Sequence, residues 1–428
     1  MTPIKTLFCT ISLISIFGYS QTTNNKLGDN KLNELLEKED YFNLKDELAK
    51  NETKLTEDKV LFYSAFVNKA FGEREKSNNE IETLFQKHSK ALNDTTKVKL
   101  LDAQATNYLY VYQYKKAADV LGQILNNYST ILDSADVANY KNVKNLFGTF
   151  AHTPPQKIHI QDDITLNAYR NKFNHLMTSV KVGTTSEDFI FDTGANLSTI
   201  SESQAKKMNL IVFEQSVDVG SSTQKEVQSK LAVADSLYIG NILFENVLFL
   251  VMPDEQLTFP QIDYAIKGII GFPVIHQLGE VHLQKDGKIF IPKVASKNSE
   301  QNMFFSGLNP VVKVNSGNDT LLFTLDTGAR ITELSFKYFN DHKAEVEKKG
   351  KARTNERGGA GGTEEAKEYL LSNFPLSIGK HKTSLDKIPV ELDEYKFNKD
   401  FDGNLGQDVF LKFNSLIINF ENMHIDFN

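Results

Sequence analysis

Cysteine is all but missing from this chain: of 428 residues only Cys9 is one. A single thiol, placed that near the start, excludes a disulfide framework, a Cys-ligated metal and a cysteine nucleophile in the body of the protein, so stability must come from packing. Histidine is sparse as well. The nine present include no His-x-x-x-His pair and no His-Glu-x-x-His, which argues against a zinc site. There is no basic excess either: 48 Lys and Arg against 55 Asp and Glu leave a net charge of -7, and without a nucleic-acid motif this excludes a polyanion as the expected partner. The apolar run at residues 7–17 falls short of the ~20 residues of a spanning helix, so no stable membrane anchor is expected. The glycine-rich "GGAGGTEEAK" lacks the Gly-Lys-Ser/Thr of a phosphate loop, and no nucleophile-elbow motif supports a Ser/His/Asp arrangement. No metal and no cofactor is implied.

What is present begins with an export pattern. Lys5, the mostly apolar stretch 7–17 and the small residues Gly18 and Ser20 predict a signal peptide over residues 1–20, and hence a periplasmic or extracellular protein. From 21 to 150 glycine and proline are scarce and the apolar period is helical. Tyr63, Phe66, Val67, Ala70 and Phe71 share one face, as do Tyr114, Ala117, Ala118, Leu121 and Leu125. Breaks at "NDTT" (93–96) and "LDSAD" (132–136) supply caps, which predicts five to seven helices in antiparallel pairs. The Tyr114-x-x-Ala117 step resembles a tetratricopeptide-type repeat, without a recurrence at 34 residues; a helical bundle is the other reading. Such a domain could recruit a protein partner, pack structurally or act as a pro-segment.

The consecutive prolines of "AHTPPQ" (151–156) mark a linker. Beyond it the period becomes 2, in short apolar runs separated by Gly, Asn and Asp, the signature of an all-β region. That region repeats itself. "FIFDTGANLSTI" (189–200) returns in "LLFTLDTGARITEL" (321–334), "SLYIGN" (236–241) in "PLSIGK" (375–380), and "KGIIGF" (267–272) in "DGNLGQ" (402–407), at offsets of 134, 139 and 135 residues. Two homologous lobes follow, residues 157–295 and 296–428.

On these paired motifs the region from about 175 to 428 resembles the aspartic peptidases, specifically the retropepsin-like branch with Asp-Thr-Gly-Ala, duplicated into one chain as in the pepsin-like branch. The resemblance implies a two-lobed all-β fold behind an N-terminal all-α domain of helical hairpins, and an aspartic endopeptidase acting as a monomer on a peptide or protein substrate. Asp192 and Asp326 would form the catalytic pair. Two carboxylates at ~3 Å cannot both ionise, so one keeps its proton and the pair supplies acid and base together. Gly194 and Gly328 would let loop backbone approach the carboxylates, Thr193 and Thr327 would bond across to the opposite loop, and Ser198 and Thr332 would orient the outer carboxylate oxygens. Flaps are expected at Gly220, Ser221 and Ser222 in the first lobe, and at Gly358, Gly359, Gly361 and Gly362 in the second.

Three features depart from the family pattern. Asn404 stands where an apolar residue is preferred, Arg330 follows the second Asp-Thr-Gly-Ala, and the first flap has no Tyr. The first two motivate an alternative, a catalytically inactive peptide-binding module, or a helical adaptor carrying a peptidase-like fold. The basic run Lys348, Lys349, Lys351, Arg353 and Arg357 reads as a solvated face.

Overall fold

Helical period in the first third of the chain becomes seven helices among the described residues: α1 (Asn30–Glu37), α2 (Tyr41–Asn51), α3 (Glu57–Ala70), α4 (Arg74–Lys87), α5 (Asp94–Tyr110), α6 (Tyr114–Tyr128) and α7 (Ser134–Thr149). The computed structural model describes residues 30–220, 226–297, 300–359, 362–394 and 399–428, with the backbone of Thr6–Phe8. Apart from that short strand, the expected signal peptide, Cys9 included, lies outside the described residues. The predicted faces are buried: Tyr63, Phe66, Val67, Ala70 and Phe71 on α3, and Tyr114, Ala117, Ala118 and Leu121 on α6. Ile124 takes the core position that the period assigned to Leu125, which is half-buried. The predicted caps also form. Asn93 Oδ1 accepts the Thr96 N–H and Asp133 Oδ1 the Asp136 N–H, both at 2.8 Å, each stabilising its helix by about 1 kcal/mol.

A repeat that the sequence conceals is visible in the turns. Glu39, Gly72 and Tyr112 all adopt positive φ (51°, 85° and 58°). The following amide in each case bonds to the carbonyl five residues back, Asp40 to Leu35 at 2.9 Å, Glu73 to Asn68 at 2.8 Å and Gln113 to Tyr108 at 2.9 Å. This is one helix-ending geometry used three times. It joins α1 to α2, α3 to α4 and α5 to α6 at uneven spacing, and only one copy uses glycine. No helix among the described residues is long and apolar enough to cross a membrane.

The chain divides into two units, a helical one ending at Pro155 and a β unit of residues 156–303 and 308–428. Residues 304–307 count with the helical unit, where Phe304 meets Tyr41 and Phe42 edge-on at 5.2 and 5.3 Å.

In the β unit the sequence repeat becomes a structural one. In the first lobe Thr185–Phe191 runs parallel to Gly268–Ile270, which lies antiparallel to Ser198–Ser201, itself parallel to Ile242–Met252. In the second lobe Asp319–Leu325, Gly403–Leu405, Glu333–Leu334 and His381–Glu391 pair in the same order and sense. A third sheet draws on both halves, in the order His424–Phe427, Ser415–Asn419, Glu280–Gln284, Ile289–Ile291 and Ile164–Leu166. Each lobe also carries a long hairpin: Ile211–Gly220 with Glu226–Ile239, and Lys351–Gly359 with Gly362–Ile378.

Candidate active site

Phe189, Ile190 and Phe191 are fully buried and end at Asp192. A strand of that kind has nowhere to go but the lobe's interior, and it delivers a carboxyl there with it. The Asp192 N–H continues the pairing onto Ile270 O at 3.0 Å, and the Asp326 N–H does the same onto Leu405 O at 3.1 Å. After each aspartate the backbone folds back on the carboxylate. Gly194 N–H donates to Asp192 Oδ1 at 2.8 Å, while Gly328 and Ala329 N–H donate to Asp326 Oδ1 at 2.9 and 2.8 Å.

The threonines lock the two loops together. Thr193 Oγ1 accepts the Thr327 N–H at 3.1 Å and donates to Leu325 O at 2.7 Å. Reciprocally, Thr327 Oγ1 accepts the Thr193 N–H at 3.0 Å and donates to Phe191 O at 3.1 Å. All four bonds cross between lobes and are buried. The glycines show how close the loops come: a Cβ on Gly194 would lie 2.6 Å from Asp326 Cγ, and one on Gly328 would overlap the Asp192 carboxylate. Each carboxylate thus rests on the opposite lobe's glycine.

Ser198 and Thr332 do not orient the outer carboxylate oxygens, contrary to the expectation from sequence. Ser198 Oγ accepts the Gly271 N–H at 3.1 Å, and Thr332 Oγ1 accepts the Gly406 N–H at 2.9 Å. They stand six residues past the aspartates, beyond the turn, where the nearest unpaired donor is the amide of the crossing segment. Their role is to brace that segment, helped in the second lobe by Asp408, whose Oδ1 accepts from Thr332 Oγ1 at 2.6 Å.

Electrostatically the pair is under tension. Asp192 is fully buried, and burial first, the Asp326 carboxylate second, push its pKa well above the usual carboxylate range. Besides the Gly194 amide, the Gly328 amide and the Asp326 carboxyl act on it, the first lowering and the second raising its pKa. Burial and the neighbouring carboxylate thus favour keeping a proton on Asp192, which is what a site combining acid and base requires.

An aspartyl protease family model matches residues 178–274, the segment that contains Asp192 and its bracing strands. Over that segment the first lobe is similar to the aspartyl proteases. The second lobe lies outside the matched segment and repeats the strand pairing of the first. Among solved structures the chain is similar to a retropepsin-like aspartic protease from Rickettsia conorii, at 18% identity over 32% of this chain and 92% of that one, with a TM-score of 0.23. No curated protein matches.

The expected flaps fall on the two hairpins. Gly220 ends the strand Ile211–Gly220, while Ser221 and Ser222 lie outside the described residues. Gly358, Gly359 and Gly362 lie in the second hairpin, where Gly359 pairs with Gly362, and Gly361 lies outside the described residues. The basic run beside it is not wholly a solvated face. Arg357 is buried among Glu333, Glu368 and Glu391, with contacts of 3.2, 3.1 and 2.5 Å. Burial raises the Glu333 pKa well above the usual range, and Asp326 adds to that rise. Strand alternation puts Lys351, Arg353 and Arg357 on one face, so no signal in the sequence set Arg357 apart from them. Arg330 is half-exposed and makes no hydrogen bond or ion pair among the described residues. Gln407, not singled out from sequence, donates from Nε2 to Thr327 O at 2.7 Å and accepts from Arg170 Nη1.

Proposed function

We propose that this chain is an exported aspartic endopeptidase, hydrolysing peptide bonds with a water activated between Asp192 and Asp326. The observation that carries the reading is the reciprocal threonine lock. It joins the two loops so closely that each carboxylate bears on the opposite glycine, with the proton retained by burial. The ionised carboxylate takes a proton from water as the water oxygen attacks the peptide carbonyl carbon. The protonated one gives its proton to the carbonyl oxygen. On collapse the first carboxyl passes its proton to the departing amide nitrogen, the C–N bond breaks, and a hydroxyl proton of the intermediate restores the second. One water is consumed and the pair returns to its starting state.

The substrate on this reading is an extended peptide. Its support is the outer edge of the second hairpin, where Thr6–Phe8 lies as a parallel strand against Arg357–Gly359. An edge that accepts one strand offers main-chain bonds to another. Because one chain supplies both aspartates, a monomer suffices. Export rests on the pattern of residues 1–20, and recruitment of a protein partner by the helical unit is a proposal of the same kind.

The test is cleavage of a diverse peptide library by residues 21–428, read by mass spectrometry from acid to neutral pH beside Asp192→Asn and Asp326→Asn. Cuts lost in both variants support the reading. Peptide that binds uncut at every pH refutes it in favour of a binding module.

A further inference from the structure

The two lobes repeat each other's strand pairing closely enough to serve as mutual controls, and the buried pair behind the aspartate differs between them. In the first lobe the residue two before the aspartate, Ile190, pairs with Ile269 on the crossing strand; in the second the same register brings together Thr324 and Asn404. All four side chains are buried. Burying an amide where the sister lobe manages with a methyl-rich side chain is costly unless both of its ends are satisfied. Both are. Thr324 Oγ1 donates to Asn404 Oδ1 at 2.6 Å, and Asn404 Nδ2 donates to Asp326 Oδ2 at 3.0 Å.

With Thr324 Oγ1 donating to Asn404 Oδ1, the end of the amide facing Asp326 is N–H, which favours a carboxylate over a carboxylic acid. Asp326 then accepts three N–H bonds, from Gly328, Ala329 and Asn404. Asp192 accepts the Gly194 amide at Oδ1 and has the Gly328 amide beside it, two N–H groups against three, and Ile269 offers it nothing.

Resting on the peptidase reading, we propose that Thr324 and Asn404 make Asp326 the ionised, water-activating member of the pair and leave the proton on Asp192. Asn404 is a positioning residue for the reaction. The other charged groups around Asp326 do not supply this asymmetry. Asp192 faces it from the opposite loop and Glu333 from the neighbouring strand, and both oppose its charge. Arg357 is held by Glu333, Glu368 and Glu391, Arg330 on the same loop is half-exposed, and Arg170 is engaged with Gln407. Burial acts on Asp192 in the same direction as the proposal.

The experiment is the pH profile of kcat/KM for the full chain and for Asn404→Leu and Thr324→Val, with carboxyl titration by 13C NMR of Asp-labelled protein. Loss of a hydrogen bond to a charged group should raise the acid limb by about one pH unit in Asn404→Leu. The alkaline limb, set by the Asp192 proton, should stay in place, and Thr324→Val should move the acid limb the same way by less. A merely structural role would lower the rate without moving the limb. In labelled wild-type protein, with the two resonances assigned by their loss in Asp192→Asn and Asp326→Asn, the Asp326 carboxyl should be the one that ionises first as pH rises. The Asp192 carboxyl ionising first, or an unmoved acid limb in an active Asn404→Leu, overturns the proposal. If Asn404→Leu fails to fold, the wild-type titration still decides. Absence of cleavage at every pH refutes the peptidase reading alone, since the titration needs no turnover.

Discussion

Thr193→Val is nearly isosteric and removes one oxygen from the centre of the β unit. That oxygen accepts the Thr327 N–H at 3.1 Å and donates to Leu325 O at 2.7 Å. Thr193 is fully buried and Thr327 nearly so, so water cannot replace either bond. Leaving a buried backbone group unpaired costs about 1–3 kcal/mol, and two such groups give roughly 2–6 kcal/mol. For a unit of this size each kcal/mol lowers Tm by about 2–4 °C, so the β-unit transition in calorimetry should fall by roughly 4–24 °C. Thr193→Ser keeps the oxygen and should lose far less, mainly the packing of one methyl group. Cleavage should fall steeply in the valine variant even well below its melting transition, because the lost bond is also the one that sets the distance between the aspartates. A valine variant with unchanged Tm and unchanged cleavage would refute the claim that this lock holds the pair.

Other perturbations test other parts of the site. Gly194→Ala should abolish cleavage, since its Cβ would lie 2.6 Å from Asp326 Cγ; a variant crystallising with the carboxylate unmoved would contradict this. The raised pKa of Asp192 contributes stability that is present below the ordinary carboxyl value of about 4 and lost as pH rises through the folded-state pKa. Asp192→Asn should therefore gain stability relative to the wild type as pH rises from about 4 towards neutral, while losing activity, and urea unfolding across that range reads the sign. Arg357→Met leaves three buried carboxylates around an apolar side chain. It should cost about 3–5 kcal/mol near neutral pH and less in acid, where the carboxylates take up protons; an equal loss at both would show that the charges are not what Arg357 supplies.

Much of the arrangement was legible because it depends on local chemistry. Two Asp-Thr-Gly-Ala elements ending apolar strands, with matching crossing segments downstream, located the pair and its glycines, since a carboxyl at the end of a buried strand must be held by whatever backbone surrounds it. The helix caps at Asn93 and Asp133 were equally readable. The hairpin repeat was not. Its left-handed turn residues are Glu39, Gly72 and Tyr112, so the recurring φ carries no recurring letter, and the uneven spacing defeats a search at one period. Ser198 and Thr332 were singled out but assigned the wrong partner, because sequence distance from an aspartate does not say which amide is unpaired.

The sequence by itself determined the composition of the site: two carboxyls, two threonines and two glycines, in two lobes of one chain, behind a helical domain. Only the tertiary structure decided how the two halves differ. Asn404 looked like a flaw behind the active loop, and Arg357 like one more cation on a wet face. Each owes its role to partners far along the chain, Thr324 and Asp326 in one case and Glu333, Glu368 and Glu391 in the other. The physical reason is that a buried polar group has the meaning its hydrogen-bond and ion partners give it, and folding selects those partners from positions that are not neighbours in the sequence.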